Sequence, residues 1–93
     1  IKPIIEVVDG QVEQGGKQRT RSKALKFLVA KVTEYEGRIS DLAVLHADCS
    51  DIDEFVEMLR PHHDGDIVVG EIGPVIGTHG GRGTIGVAFQ VVD

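Results

Sequence analysis

Tryptophan is absent from the 93 residues, tyrosine occurs once and phenylalanine three times. With so few rings, the core has to be assembled from valine, isoleucine and leucine. Cysteine also occurs once, at Cys49. One thiol cannot close an internal disulfide, which fits a reducing cytosol, so a cytoplasmic location is expected. Cys49 is expected to be a small semi-buried side chain, since no Cys–His pair has local support. No apolar run approaches the ~20 residues that span a bilayer, and no signal peptide is visible, so stable membrane insertion is not expected. Positive charge is in deficit: the net charge of −5 argues against a nucleic-acid partner, because phosphate binding relies on clustered Lys and Arg. No GxGxxG follows a first strand, and no Walker lysine stands at the right spacing. His62-His63-Asp64-Gly65-Asp66 has the composition of a metal cluster. Adjacent loop residues diverge, however, and no ligand pair stands at helical spacing, so a solvated loop is expected there. The sequence therefore points to no metal, no cofactor and no catalytic residue.

Glycine, by contrast, is abundant: 12 residues, many of them in the stretch from Gly73-Pro74-Val75-Ile76-Gly77-Thr78 through His79-Gly80-Gly81-Arg82-Gly83. Glycine loses more conformational freedom on folding than any other residue, so a cluster implies positive φ angles or a close approach to the backbone. Thr78, His79 and Arg82 within it can join exposed N–H groups to form a site for an anionic head group. A long turn with an incidental histidine explains the same residues equally well.

The hydrophobic fraction of 41% is ordinary for a globular protein, and the length suits one domain over residues 1–93. Pro3–Val8 reads as a strand, Asp9-Gly10 as a hairpin turn and Gln11–Gln14 as a polar return strand. Arg19-Thr20-Arg21-Ser22 precedes a helix, which Thr20 or Ser22 can cap. Ala24, Leu25, Leu28, Val29, Val32 and Tyr35 follow helical spacing on one face, and Gly37 is the expected stop. Asp41–Ala47 suits a central strand buried on both faces. Ser50 is the expected cap of a second helix with Ile52, Phe55, Val56 and Leu59 inward, ended by Pro61. Ile67–Ile72 and Thr84–Val92 complete the order β-β-α-β-α-β-β. That order implies an α/β two-layer sandwich, a mixed sheet with both helices on one face. The first residue is not methionine, and the chain is expected to be a piece of a longer protein.

Four segments carry a resemblance: Ile1-Lys2-Pro3-Ile4-Ile5-Glu6-Val7, Arg19-Thr20-Arg21, Val44-Leu45-His46-Ala47-Asp48, and Gly73-Pro74-Val75-Ile76-Gly77-Thr78-His79-Gly80-Gly81 with Gly83. In this order they resemble the C-terminal part of the DegV family, bacterial fatty-acid-binding proteins with the EDD fold. The position between Gly81 and Gly83 is often proline in that family and is Arg82 here. The resemblance implies a two-domain parent whose N-terminal domain, lying outside these residues, supplies the Ser and Thr that hold a fatty-acid carboxylate. It implies that His79 belongs to the hydrogen-bond network of that carboxylate, with Gly77, Thr78 and Arg82 beside it, and that Ile76 lines the acyl tunnel. Leu28, Val32, Phe55 and Leu59 are candidates for further lining, chosen by helical periodicity alone, and for each of them plain core is the stronger reading. Arg19 and Arg21 are expected either to face a fatty acid kinase partner or to be a solvated pair flanking the helix start. The function so implied is carriage of a long-chain fatty acid and presentation of its carboxylate for phosphorylation. Two other readings stand beside it: a small-molecule enzyme with His79 as general acid or base, and a purely structural domain.

Overall fold

Ile4, Ile5, Val7 and Val8 favour extended backbone. They form β1, Lys2–Asp9, in the computed structural model, which describes residues 2–9, 17–72 and 83–92. There follow α1, Lys17–Glu34; β2, Ile39–His46; α2, Ile52–Leu59, continued by a 3-10 turn at Arg60–His62; β3, Val68–Glu71; and β4, Thr84–Val91. The return strand expected at Gln11–Gln14 lies outside the described residues.

The strands form one mixed sheet in the order β1-β4-β2-β3. β4 runs antiparallel to both β1 and β2, and β3 runs parallel to β2. A parallel pair needs a crossover connection, and α2 supplies it. The β2–β4 ladder shifts register between Ser40 and Ala43, where Asp41 takes φ 58°. An extra residue on one strand is the signature of a β-bulge.

Alternation along the strands sends Leu42 and Val44 of β2, and Ile85, Val87, Phe89 and Val91 of β4, to one face. There they join Leu25, Leu28 and Val32 of α1 and Phe55 and Leu59 of α2 in a single buried cluster. Both helices therefore cover the same face, as the sequence pattern implies. Gly37, at φ 87°, follows the last turn of α1, a conformation that costs glycine little.

Three expectations need correction. α1 begins at Lys17, so Thr20 and Ser22 lie within it rather than at its start; Lys17, Gln18 and Arg19 are good helix formers that carry no apolar period to mark a start. The residue capping α2 is Asp51 rather than Ser50, and it makes no side-chain capping bond, because its carboxylate is engaged by Arg21. β2 is interior to the sheet, but burial alternates along it: Leu42, Val44 and His46 are buried, whereas Ala43 and Leu45 are half-buried.

Candidate functional site at the carboxyl end of β2

The glycine-rich stretch follows β3 and precedes β4, so its attachment points are set by the ends of those strands. The Ile72 N–H donates to the His46 carbonyl at 2.6 Å, and the Gly83 N–H donates to the Ala47 carbonyl at 2.9 Å. Ala47 in turn donates to the Thr84 carbonyl at 2.9 Å. Both ends of the stretch are thus bonded to two consecutive residues at the end of β2. Gly83 takes φ 95°, a region L-residues with side chains rarely enter.

Charge gathers at the same place. Arg21, in the second turn of α1, donates from Nε and Nη2 to the two carboxylate oxygens of Asp51 at 2.8 and 2.7 Å. Its Nη1 donates to the Gly83 carbonyl. This planar fork matches a carboxylate in the bidentate way that only arginine offers. One side chain therefore links α1, the start of α2 and the entry to β4. The hydrogen bond from Arg21 holds the Asp51 carboxyl below the ordinary carboxylate range against the opposing effect of burial. The same bond, outweighing desolvation, raises the Arg21 guanidinium further above its already high value.

His46 is buried, and its Nδ1 accepts the Cys49 N–H at 3.1 Å. Accepting at Nδ1 leaves Nε2 as the nitrogen that carries the ring proton. The Cys49 thiol is buried and points to the Thr84 carbonyl at 3.5 Å. Thr84 Oγ1 is buried without a hydrogen-bond partner among the described residues. A buried hydroxyl left unpaired is costly, so this one is available to a further group.

Of the candidates read from the sequence, Ile76, Gly77, Thr78, His79 and Arg82 lie outside the described residues, as does the side chain of Arg19. Arg21 is not at the surface, where a kinase partner or solvent would meet it: it is 7% exposed, drawn inward by Asp51 and Gly83. Leu28, Val32, Phe55 and Leu59 are brought together, all fully buried, between the helices and the sheet. Sequence reasoning missed Asp51, His46 and Thr84 as members of this end of the sheet. In the local sequence Asp51 is simply a negative charge where a helix start favours one, and its partner stands 30 residues away.

A groove of about 850 Å³ lies at the opposite end of β2, between the turn after α1 and the His62–Asp66 segment. Glu36, Asp41, Asp64 and Asp66 rim it, so it repels a carboxylate. His62 Nδ1 lies 2.8 Å from Glu36 Oε1 there. Among the described residues no group of three His, Cys, Asp or Glu can hold a metal ion, and no helix is long and apolar enough to cross a membrane.

A family model described as "Uncharacterised protein, DegV family" matches residues 1–91. A DegV domain-containing protein of Clostridium acetobutylicum is 35% identical over 92 residues, which cover 96% of this chain and 32% of that protein. Among solved structures, a fatty acid binding DegV family protein from Streptococcus agalactiae superposes with a TM-score of 0.65 at 28% identity, over 81% of this chain and 28% of the other. A DegV lipid binding protein from Thermotoga maritima does so with a TM-score of 0.60 at 32% identity, over 78% of this chain and 27% of the other. The chain spans about a third of the length of the curated relatives it matches.

Proposed function

This chain belongs to the DegV family, and from that premise we propose that it is the C-terminal domain of a bacterial fatty-acid carrier. The observation that carries the proposal is the likeness, at 28% and 32% identity, to two solved relatives described as fatty acid binding and lipid binding. The chemistry of the glycine-rich end agrees with it. A buried carboxylate is costly unless donors surround it. Thr78, His79 and the backbone N–H groups of a glycine-rich segment are such donors, and the segment is attached at both ends to β2. His79 belongs to the hydrogen-bond network of the carboxylate, and Gly77, Thr78 and Arg82 stand beside it. The preceding N-terminal domain supplies the remaining donors.

The tail needs apolar walls. Each buried CH₂ contributes about 0.8 kcal/mol, so a long-chain fatty acid recovers much more than the cost of ordering it. Ile76 lines its path, which leads toward the aliphatic layer that holds Leu28, Val32 and Phe55. The domain catalyses nothing itself. It presents the carboxylate to a cytoplasmic fatty acid kinase, which phosphorylates it, and Arg19 is the candidate for facing that partner.

Mass spectrometry of an organic extract from the natively purified parent polypeptide tests the reading. A stoichiometric fatty acid is expected. A clean extract from protein that also fails to bind added fatty acids in a titration would refute it.

A further inference from the structure

Positive charge is gathered on one helix. α1 carries six of the ten Lys and Arg residues and one of the fifteen Asp and Glu, Glu34 at its last position. The rest of the chain is therefore strongly acidic. Arg21 is turned inward to Asp51, but Lys23 and Lys26 are exposed on the side of α1 away from the core. Phe27 lies beside them and is 45% exposed. Lys23 precedes it and Lys31 follows it by one turn, so the three share a face. The Lys31 ammonium lies 5.9 Å from the centre of the Phe27 ring and 3.8 Å from Glu6 Oε1 at the margin of this stripe.

We propose that this face of α1 is a peripheral docking surface for a membrane rich in anionic lipid. Charge complementarity carries the argument. A lysine cluster on a helix attracts acidic head groups, by about fivefold in affinity for each lysine held near the surface. The long aliphatic stems of lysine let the ammonium groups reach the head groups while the exposed ring of Phe27 enters the interface between them. The 18 residues of α1 make a rod about 27 Å long, and a flat bilayer surface meets the whole stripe at once. An acidic protein is the other partner for this charge and fits less well, because lysine is depleted in protein interfaces. Lysine is also almost never buried, so this face keeps its contact with water when further domains are attached. The proposal goes beyond fatty-acid binding and does not rest on it.

The test is flotation of the full natural polypeptide with vesicles of phosphatidylcholine alone or mixed in equal parts with phosphatidylglycerol. Binding to the mixed vesicles is expected, with little to phosphatidylcholine alone and a steep loss as salt is raised. Lys23→Gln/Lys26→Gln should bind the mixed vesicles at least about tenfold more weakly. Arg38→Gln/Arg60→Gln removes the same charge from exposed sites elsewhere and should bind as the natural chain does. Phe27→Ser should weaken vesicle binding and leave unchanged any binding to polyglutamate, a soluble polyanion without an apolar interior. No binding to the mixed vesicles would overturn the proposal, as would equal losses in the two charge variants. Polyglutamate bound as tightly as the vesicles, with Phe27→Ser without effect on either, would assign the face to an acidic protein and also overturn it. Fatty-acid binding by the same samples is measured separately, so loss of one reading leaves the other standing.

Discussion

Substituting Asp51 by alanine tests the ion pair at the root of the glycine-rich segment. The change removes both carboxylate oxygens that accept from Arg21, at 2.7 and 2.8 Å, and leaves the charge of a guanidinium whose side chain is 9% exposed without that carboxylate. Breaking a buried pair by removing one partner costs about 3–5 kcal/mol. Asp51 keeps a quarter of its side-chain surface in contact with water, so the lower end of that range, about 3 kcal/mol, is expected. For a domain of this size each kcal/mol moves the unfolding midpoint by about 4–8 °C. Adding Arg21→Met removes that buried charge, and the double variant is expected to recover about 1 kcal/mol or more of the loss. Urea unfolding of the four chains at pH 7 closes the cycle; additive effects of the two substitutions would refute the reading. The pH dependence gives a second check. The folded-state value of Asp51 is depressed, so its contribution is fully present above the ordinary aspartate value of about 3.9 and is lost as pH falls through the folded value. The stability gap between the natural chain and Asp51→Ala should therefore be constant near neutrality and shrink below about pH 4. A gap that stays unchanged into strong acid would count against the pair.

The remaining predictions concern backbone, core and ligand. A Cβ at Gly86 would lie 2.7 Å from the Glu6 carbonyl oxygen and 2.8 Å from Val7 Cγ2, so Gly86→Ala should displace β1 and cost about 1–3 kcal/mol. Gly70→Ala meets only the flexible end of Leu45 at 3.1 Å and should cost less; equal losses in urea unfolding would contradict this. Gly83→Ala places a side chain at φ 95°, and a loss of about 1–3 kcal/mol is expected in the same assay. Phe55→Ala empties a fully buried site and should cost about 3–5 kcal/mol in thermal or urea unfolding. His79→Ala in the parent polypeptide should weaken fatty-acid binding in a titration while leaving the unfolding midpoint unchanged.

Periodicity explains which parts of this fold are legible in the sequence. Leu25, Leu28 and Val32, or Phe55, Val56 and Leu59, recur at helical spacing because only that spacing brings them to one face, and all six are buried. Pro61 and Gly37 mark their ends through local backbone chemistry. The limits of such local patterns are equally physical. Leu42-Ala43-Val44-Leu45 is apolar throughout, so nothing in it separates the face under the helices from the opposite one; the register with β4 does. The cap of α2 is misread for a related reason. Asp51 has the right chemistry for a helix start, but its carboxylate has a stronger partner 30 residues away, and no window of neighbouring residues contains Arg21.

Arg21 also changes what the Arg19-Thr20-Arg21 segment means. On the sequence alone it reads as a pair of surface charges beside a helix start. In the fold, one of its two arginines faces inward and binds the Gly83 carbonyl at the first described residue after the glycine-rich stretch. Gly83 is simultaneously bonded to Ala47 and held at a φ that requires glycine. Three independent restraints therefore converge on the residue that follows Gly80, Gly81 and Arg82. A segment rich in glycine gains its conformational freedom at the expense of definition, and a binding site needs its donors held in place. The N–H groups of Ile72 and Gly83 fix both flanks of the stretch to the end of β2. At Gly83 itself it is the carbonyl and the φ angle, rather than any side chain, that carry these restraints.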